Sequence, residues 1–244
     1  MITDVIIDPG HGGLVDGRYL TPGKRYTFTH EEGVLLREPL VHYEGPWVRV
    51  GSAGLAIMLM GLGVRVHVTT LLSELHEFPP ARYPGDSMGR EDVPLRERVA
   101  FANRVHVEAK ARGGGAVFVS RHSNAIGNES FGLGHSARGI SVFTSPGKTK
   151  SDAIASSIYE SYVEGSVGMP VRKGDWSDGD VDHEAAFYVL RKTRCPAVLI
   201  EAGFHTNLED VRFLQTAQGQ MRLALCELLG LLPFLSIPAN TRQV

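Results

Sequence analysis

The chain alternates between short apolar runs and longer stretches in which apolar residues recur at helical spacing. Val5, Ile6 and Ile7 form a β-branched run that Pro9 and Gly10 end abruptly, which predicts a buried strand over residues 3–8. Similar runs predict strands at 64–69, 115–121, 138–144, 186–190 and 196–200. The periodic stretches predict helices at 47–62, 94–112, 149–166, 207–214 and 216–231. This alternation favours an α/β fold, a three-layer single domain with a central, mostly parallel, twisted sheet flanked by helices.

Two polar stretches interrupt this alternation, at residues 12–43 and 71–92. With 244 residues, 43% of them apolar, the chain can bury one large core. We therefore expect one domain over residues 1–235, followed by a short exposed tail over residues 236–244.

Potential ligands follow three of the predicted strands. His11 comes after the first strand, His122 after the strand at 115–121, and Glu201 after the strand at 196–200. In open α/β sheets, ligands bind outside the carboxyl ends of the strands, where these side chains would meet. Glu44 stands just before Pro46, and proline suits the first turn of a helix. Two histidines and one glutamate form an open catalytic zinc site, and a further carboxylate can serve as general base.

The motifs around these residues resemble those of zinc-dependent N-acetylmuramoyl-L-alanine amidases, of the amidase family 3 catalytic-domain type. The resemblance covers roughly residues 3–232. Its motifs are Asp-Pro-Gly-His-Gly-Gly (8–13), a glutamate 19 residues before Gly63, and the segments at 95–103, 120–125, 187–191 and 201–207. The resemblance implies that His11, Glu44 and His122 bind Zn²⁺ and that Glu201 is the catalytic carboxylate. It also implies the substrate, the peptidoglycan amide that joins N-acetylmuramic acid to L-alanine of the stem peptide.

The chain departs from the family pattern at several positions. The insertion before Glu44 carries three rival carboxylates, which are Glu31, Glu32 and Glu38. Arg121 stands where an apolar residue is usual, Thr70 where an arginine is common, and His205 and Thr206 where Ile or Leu and Ser are common. None of these changes removes a metal ligand.

Two further candidates lie near the predicted site. His183 sits in a polar loop before the strand at 186–190, and is a candidate for a transition-state or substrate contact. Ser120 and Ser123 flank His122 and raise a serine-hydrolase alternative. No G-x-S-x-G nucleophile elbow is present, which disfavours that alternative.

Charge and hydropathy narrow the class of protein further. The net charge of −2 gives no electrostatic basis for binding nucleic acid, and no apolar run is long enough to span a bilayer. The first strand begins almost at Met1, which leaves no room for a signal peptide. We therefore expect synthesis in the cytoplasm and action on the bacterial wall after release, as in a phage-type endolysin. Two alternatives are a zinc peptidase that cuts within the stem peptide and a non-catalytic wall-binding module.

Overall fold

The computed structural model describes residues 1–15, 17–31, 33–70, 92–127, 130–165, 168–174 and 179–238. Its strands are β1 (Asp4–Pro9), β2 (Leu14–Val15), β3 (Arg18–Tyr19), β4 (Arg25–Glu31), β5 (Val34–Tyr43), β6 (Arg65–Val68), β7 (Ala116–Asn124), β8 (Phe131–Gly132), β9 (Ile140–Thr144), β10 (His183–Glu184) and β11 (Ala197–Phe204). Its α-helices are α1 (Glu44–Gly61), α2 (Leu95–Ala111), α3 (Asp152–Glu164), α4 (Tyr188–Lys192), α5 (Leu208–Leu214) and α6 (Ala217–Leu231).

Six strands form the central sheet, in the order β10-β9-β11-β7-β1-β6. All neighbouring strands run parallel except β9 and β11, which are antiparallel. The register of β11 on β7 places Glu201 beside His122, and that of β7 on β1 continues to Pro9 opposite Arg121. The carboxyl ends of β1, β7 and β11 therefore meet at one edge of the sheet. This confirms the predicted mostly parallel α/β sheet.

Helices cover both faces of the sheet because successive side chains of each strand point to opposite sides. Val5 and Ile7 of β1 lie in one buried cluster with residues of α1, α3 and α6. Ile6 lies in a second cluster with residues of α2 and α4. Each buried strand therefore carries apolar residues at nearly every position, and the architecture has the three layers that the sequence predicts.

The predicted strand at 186–190 is wrong. Residues Tyr188–Lys192 form the short helix α4, and the edge strand beside β9 is β10, a few residues earlier. Val189 and Leu190 are adjacent and both buried, and so short an apolar run does not distinguish a strand from a helix. The first helix also begins earlier than predicted, at Glu44, so that Pro46 lies within its first turn.

The insertion at 12–43 contains most of a second, smaller sheet. β4 and β5 form an antiparallel pair, and β8 joins β4 in parallel, in the order β5-β4-β8. Tyr26 and Phe28 of β4 are buried against Val211 of α5, which attaches this sheet to the domain. Strand β5 leads directly into α1 and delivers Glu44 to its position.

Of the insertion predicted at 71–92, only Asp92 lies within the described residues. Of the predicted tail, residues 239–244 lie outside them, while the Ser236 backbone N–H donates to the Ile2 carbonyl at 2.7 Å. Among the helices of the described ranges, none has the length and apolar character needed to cross a membrane.

Candidate metal centre

Three of the four residues predicted from the sequence meet where the sheet ends. His11 follows β1, His122 lies near the end of β7, and Glu44 is the first residue of α1. One potential ligand atom from each lies within 4.8 Å of those of the other two. The His11 Nε2 is 3.3 Å from Glu44 Oε1, and the His122 Nδ1 is 3.0 Å from the same oxygen.

Two glycines allow the three segments to come this close. A Cβ on Gly10 would lie 2.3 Å from Cε1 of His122, and a Cβ on Gly45 would lie 1.8 Å from the Gly12 carbonyl oxygen. Both distances are far below van der Waals contact, so only glycine fits at these positions. In the Asp-Pro-Gly-His-Gly-Gly motif, Gly10 is therefore required for close packing, and His11 supplies one potential ligand.

The donor set fits a zinc ion. Two imidazole nitrogens and a carboxylate oxygen suit Zn²⁺, whose bonds of ~2.0–2.2 Å in a tetrahedral site place neighbouring ligand atoms about 3.3 Å apart. The His11 Nε2 and the Glu44 Oε2 are buried and make no hydrogen bond with a described residue. Buried polar atoms that make no hydrogen bond are costly, and coordination of a cation would satisfy them.

The burial and closeness of these three side chains shift their pKa values. Burial lowers the pKa of His11, although the Glu44 carboxylate opposes the shift. Burial acts in the same direction on His122, but its hydrogen bond to Glu44 and the negative charges of Glu44, Glu201 and Asp8 together outweigh burial and raise the pKa. Burial alone would raise the pKa of Glu44, yet the two histidines hold it well below its ordinary range. Glu44 is therefore an anion, as a metal ligand must be.

Glu201 lies beside this group on β11, in register with His122. Its Oε2 is buried and makes no hydrogen bond with a described residue. Burial raises the pKa of Glu201 to about 7; the negative charge of Glu44 adds to the shift, and His122 opposes it. A carboxyl group with a pKa near neutrality can both accept and release a proton, which is the property of a general acid–base.

Asp8, the first residue of the motif, has a structural role. It is buried and accepts hydrogen bonds from Thr69 at 2.5 Å, Ser120 at 2.8 Å and Arg98 at 2.9 Å. Although burial opposes the shift, Arg98 and the two hydroxyl groups lower the pKa of Asp8. The Ser120 hydroxyl is fully buried in this network, so a substrate cannot reach it as a nucleophile.

Two histidines behind Glu44 were not predicted to belong to the site. The His205 Nδ1 lies 3.0 Å from the Ser123 carbonyl oxygen and 3.7 Å from Glu44 Oε2. The ring of His42 stacks on that of His205 at 6.2 Å between centroids, and burial lowers its pKa to about 3. The Ser123 backbone N–H also donates to Glu44 Oε1 at 3.0 Å. The departure from the family pattern at His205 was the only sequence signal for these two histidines.

Three other sequence candidates lie elsewhere. Glu31 pairs with Arg212, and Glu38 is exposed on β5, so neither belongs to the three-residue group; Glu32 lies outside the described residues. His183 lies on β10, two strands away from Glu201, with its ring 4.9 Å from that of Phe143. Because strands are about 4.8 Å apart, His183 is roughly 10 Å across the sheet from Glu201. The structure does not bring it into the group.

A comparison with known sequence families identifies the family to which this fold and site correspond. Residues 66–231 match the profile of amidase family 3, described as N-acetylmuramoyl-L-alanine amidase. That range contains His122 and Glu201, whereas His11 and Glu44 precede it. A comparison with curated protein sequences found no significant match.

Solved structures with the same fold include several amidases. An N-acetylmuramoyl-L-alanine amidase from Clostridium difficile 630 superposes with a TM-score of 0.66 at 22% identity, covering 96% of each chain. AmiC2 of Nostoc punctiforme has a TM-score of 0.62 at 24% identity, covering 95% of this chain and 96% of its own. The catalytic domain of the CD27L endolysin, which targets Clostridia difficile, has a TM-score of 0.55 at 18% identity, covering 97% and 99%.

Proposed function

Because the chain belongs to the N-acetylmuramoyl-L-alanine amidase family, we propose that it is a zinc-dependent peptidoglycan hydrolase. Its reaction is hydrolysis of the amide between the lactyl group of N-acetylmuramic acid and L-alanine of the stem peptide. The observation that carries the zinc dependence is the convergence of His11, Glu44 and His122 at one end of the sheet.

In this proposal His11, Glu44 and His122 hold the ion, and their one negative charge leaves the site net positive. When bound, Zn²⁺ polarises the scissile carbonyl and lowers the pKa of water from about 15.7 toward about 7. The Ser123 backbone N–H donates to Glu44 Oε1 at 3.0 Å and thereby helps to keep the carboxylate in one orientation. A preorganised ligand set of this kind favours the negative oxygen that develops during amide hydrolysis.

Glu201 moves the proton. Its carboxylate accepts a proton from the water that attacks the carbonyl carbon, and the protonated carboxyl group then delivers it to the L-alanine nitrogen as the C–N bond breaks. Its position beside His122 on a buried strand fixes the backbone from which this side chain extends.

Substitution of Glu201 tests this assignment. Glu201→Gln keeps the size of the side chain but cannot accept a proton, so we expect a loss of about 10²–10⁴ in rate with zinc content unchanged. Hydrolysis is measured on purified peptidoglycan and zinc by elemental analysis. The matched control is Glu38→Gln, an exposed carboxylate on β5, which should change neither quantity. If Glu201→Gln empties the metal site, Glu201 is a ligand and not the proton carrier.

We also propose a lysin role, in which the enzyme reaches the wall once the cytoplasmic membrane has been opened. Its fold, shared with the catalytic domain of an endolysin, is compatible with that role. The test is expression in bacterial cytoplasm followed by chloroform, with culture turbidity as the readout. Turbidity should fall only after the membrane is opened, and not at all with Glu201→Gln. A fall without chloroform would contradict the role.

A further inference from the structure

The side chain of Arg49 connects the segment that carries His11 to the helix that carries Glu44. Arg49 lies on the second turn of α1 and is 5% exposed. One terminal nitrogen, Nη2, donates to the His11 carbonyl at 2.7 Å. The other, Nη1, donates to the Gly12 carbonyl at 3.0 Å and to the Gly45 carbonyl at 3.1 Å.

The backbone at His11 needs such support. His11 has φ 62°, and is the one residue other than glycine with a positive φ among those the structure describes. This left-handed conformation is strained for a residue with a Cβ and persists only where its surroundings impose it. Arg49 bonds the carbonyl of this strained residue and that of the next one, which opposes relaxation of the turn.

The same guanidinium group sets the distance between two ligands. The Gly45 carbonyl belongs to the residue directly after Glu44, and the Gly12 carbonyl to the residue directly after His11. One planar group therefore ties together the backbones adjacent to both ligands, whose side chains lie 3.3 Å apart. Arginine suits this task because its rigid fork donates in several fixed directions, which a single ammonium group does not reproduce.

Arg98 on α2 also contacts this turn, but it does not reach α1. It donates to the Pro9 carbonyl at 2.6 Å and to the His11 carbonyl at a longer 3.4 Å, and it pairs with Asp8; among the described residues it makes no hydrogen bond to α1. Burial lowers the pKa of Arg49 to about 10, with repulsion from Arg98 adding to the shift, so Arg49 keeps its charge at neutral pH. Of these two arginines, Arg49 alone donates to both ligand-bearing segments within the described part of the chain.

We infer that Arg49 is a positioning residue for the metal centre, one that holds His11 in its strained conformation and fixes it relative to Glu44. The inference rests on the proposed zinc site. It predicts that zinc affinity depends on a residue that donates no atom to the ion.

The test is the zinc dissociation constant of Arg49→Lys, measured by competition with a chromophoric chelator. Lysine keeps the charge but loses the fork, so we expect the constant to rise about 10- to 100-fold, as for other residues that orient metal ligands. If the lysine variant does not fold, the same constant is measured for Arg49→Gln, whose side chain can donate to a single carbonyl. Arg112→Lys is the matched control, because Arg112 pairs with Asp4 at the opposite end of the sheet and should leave the constant unchanged.

Unfolding of the metal-free variants separates positioning from general stability. If the role of Arg49 is purely structural, its substitution lowers the free energy of unfolding but leaves the zinc dissociation constant of the folded protein as in the wild type. That result would overturn the inference. Failure of the wild type to bind zinc would instead contradict the metal centre itself. A raised constant in the Arg49 variants, together with an unchanged one in Arg112→Lys, supports the inference.

Discussion

At the scale of single residues, the site depends on the absence of a side chain at Gly45. Gly45→Ala places a methyl group 1.8 Å from the Gly12 carbonyl oxygen, so α1 must shift away from the His11 turn. We expect the free energy of unfolding to fall by about 1–3 kcal/mol, as for other overpacked sites, and zinc affinity to fall with it. Urea denaturation of the metal-free protein and chelator competition measure the two effects.

Gly61 provides the control for that substitution. It lies in the last turn of the same helix, and a Cβ there would meet no atom within 4 Å. Gly61→Ala should therefore stabilise the protein by roughly 0.5–1 kcal/mol through helix propensity alone. Equal effects of the two alanines would show that the contact between Gly45 and Gly12 does not constrain the site.

Asp182 predicts a pH dependence of stability away from the metal centre. Burial, together with the neighbouring Asp180 carboxylate, raises the pKa of Asp182 to about 7. Between its ordinary pKa of about 4 and about 7, the folded state keeps a proton that the unfolded state releases, so this group makes stability fall as pH rises. Asp182→Asn should flatten that slope and stabilise the protein at pH 8 by about 1–3 kcal/mol. Urea denaturation from pH 4 to pH 8 checks this, and an unchanged slope would refute it.

The sequence was sufficient to predict which residues lie near the carboxyl ends of buried strands, although β7 and β11 continue two and three residues beyond His122 and Glu201. His11, His122 and Glu201 each follow an apolar run that identifies its strand, and parallel strands end at the same edge. Arg49, His42 and His205 were not predicted because their positions depend on contacts between segments far apart in the chain. A buried arginine and a surface arginine have the same local sequence pattern, so only the assembled fold separates them.

At the scale of elements, a buried ion pair ties the ligand-bearing elements to the helical layer. Arg121 of β7, next to His122, pairs with Glu227 of α6 at 2.8 Å and donates to the Val48 carbonyl of α1 at 3.0 Å. The Tyr162 hydroxyl of α3 also donates to Glu227 at 2.8 Å. The Glu227 carboxylate explains how the charged Arg121 occupies a position where the family usually has an apolar residue.

Removal of either charge should be costly. Glu227→Leu or Arg121→Met leaves the other charge buried without its partner, and we expect each to lower the free energy of unfolding by about 3–5 kcal/mol. The double variant should lose much less than the sum, because no unpaired charge remains. A double-mutant cycle by urea denaturation measures the coupling, and strictly additive losses would show that the pair does not act as one unit.

Element boundaries were predicted less well than element order. The run at 186–190 has apolar residues compatible with either a strand or a helix, and the structure forms the short helix α4 there. The insertion at 12–43 looked irregular in sequence because its strands are half exposed and pair with each other and with β8, far along the chain. Local periodicity carries little information about such pairings.

At the scale of the whole molecule, the parallel sheet brings the proposed ligands His11 and His122 from distant segments to one edge, and the proposed chemistry depends on the ion that they would hold with Glu44. Exhaustive chelation should abolish hydrolysis, and added Zn²⁺ should restore it, because Glu201 alone does not polarise the carbonyl. Activity assays before and after chelation, with elemental analysis at each step, check this. Full activity in protein with no detectable metal would contradict the zinc requirement.

Mass spectrometry of purified peptidoglycan digested with the zinc-loaded and the chelated protein tests the central claim most directly. The account predicts stem peptides that begin with a free L-alanine amino group and glycan strands that keep the lactyl carboxyl group, from the zinc-loaded protein only. New amino groups at other positions of the stem peptide would identify a peptidase instead. Identical products from the chelated protein would contradict the metal-dependent mechanism.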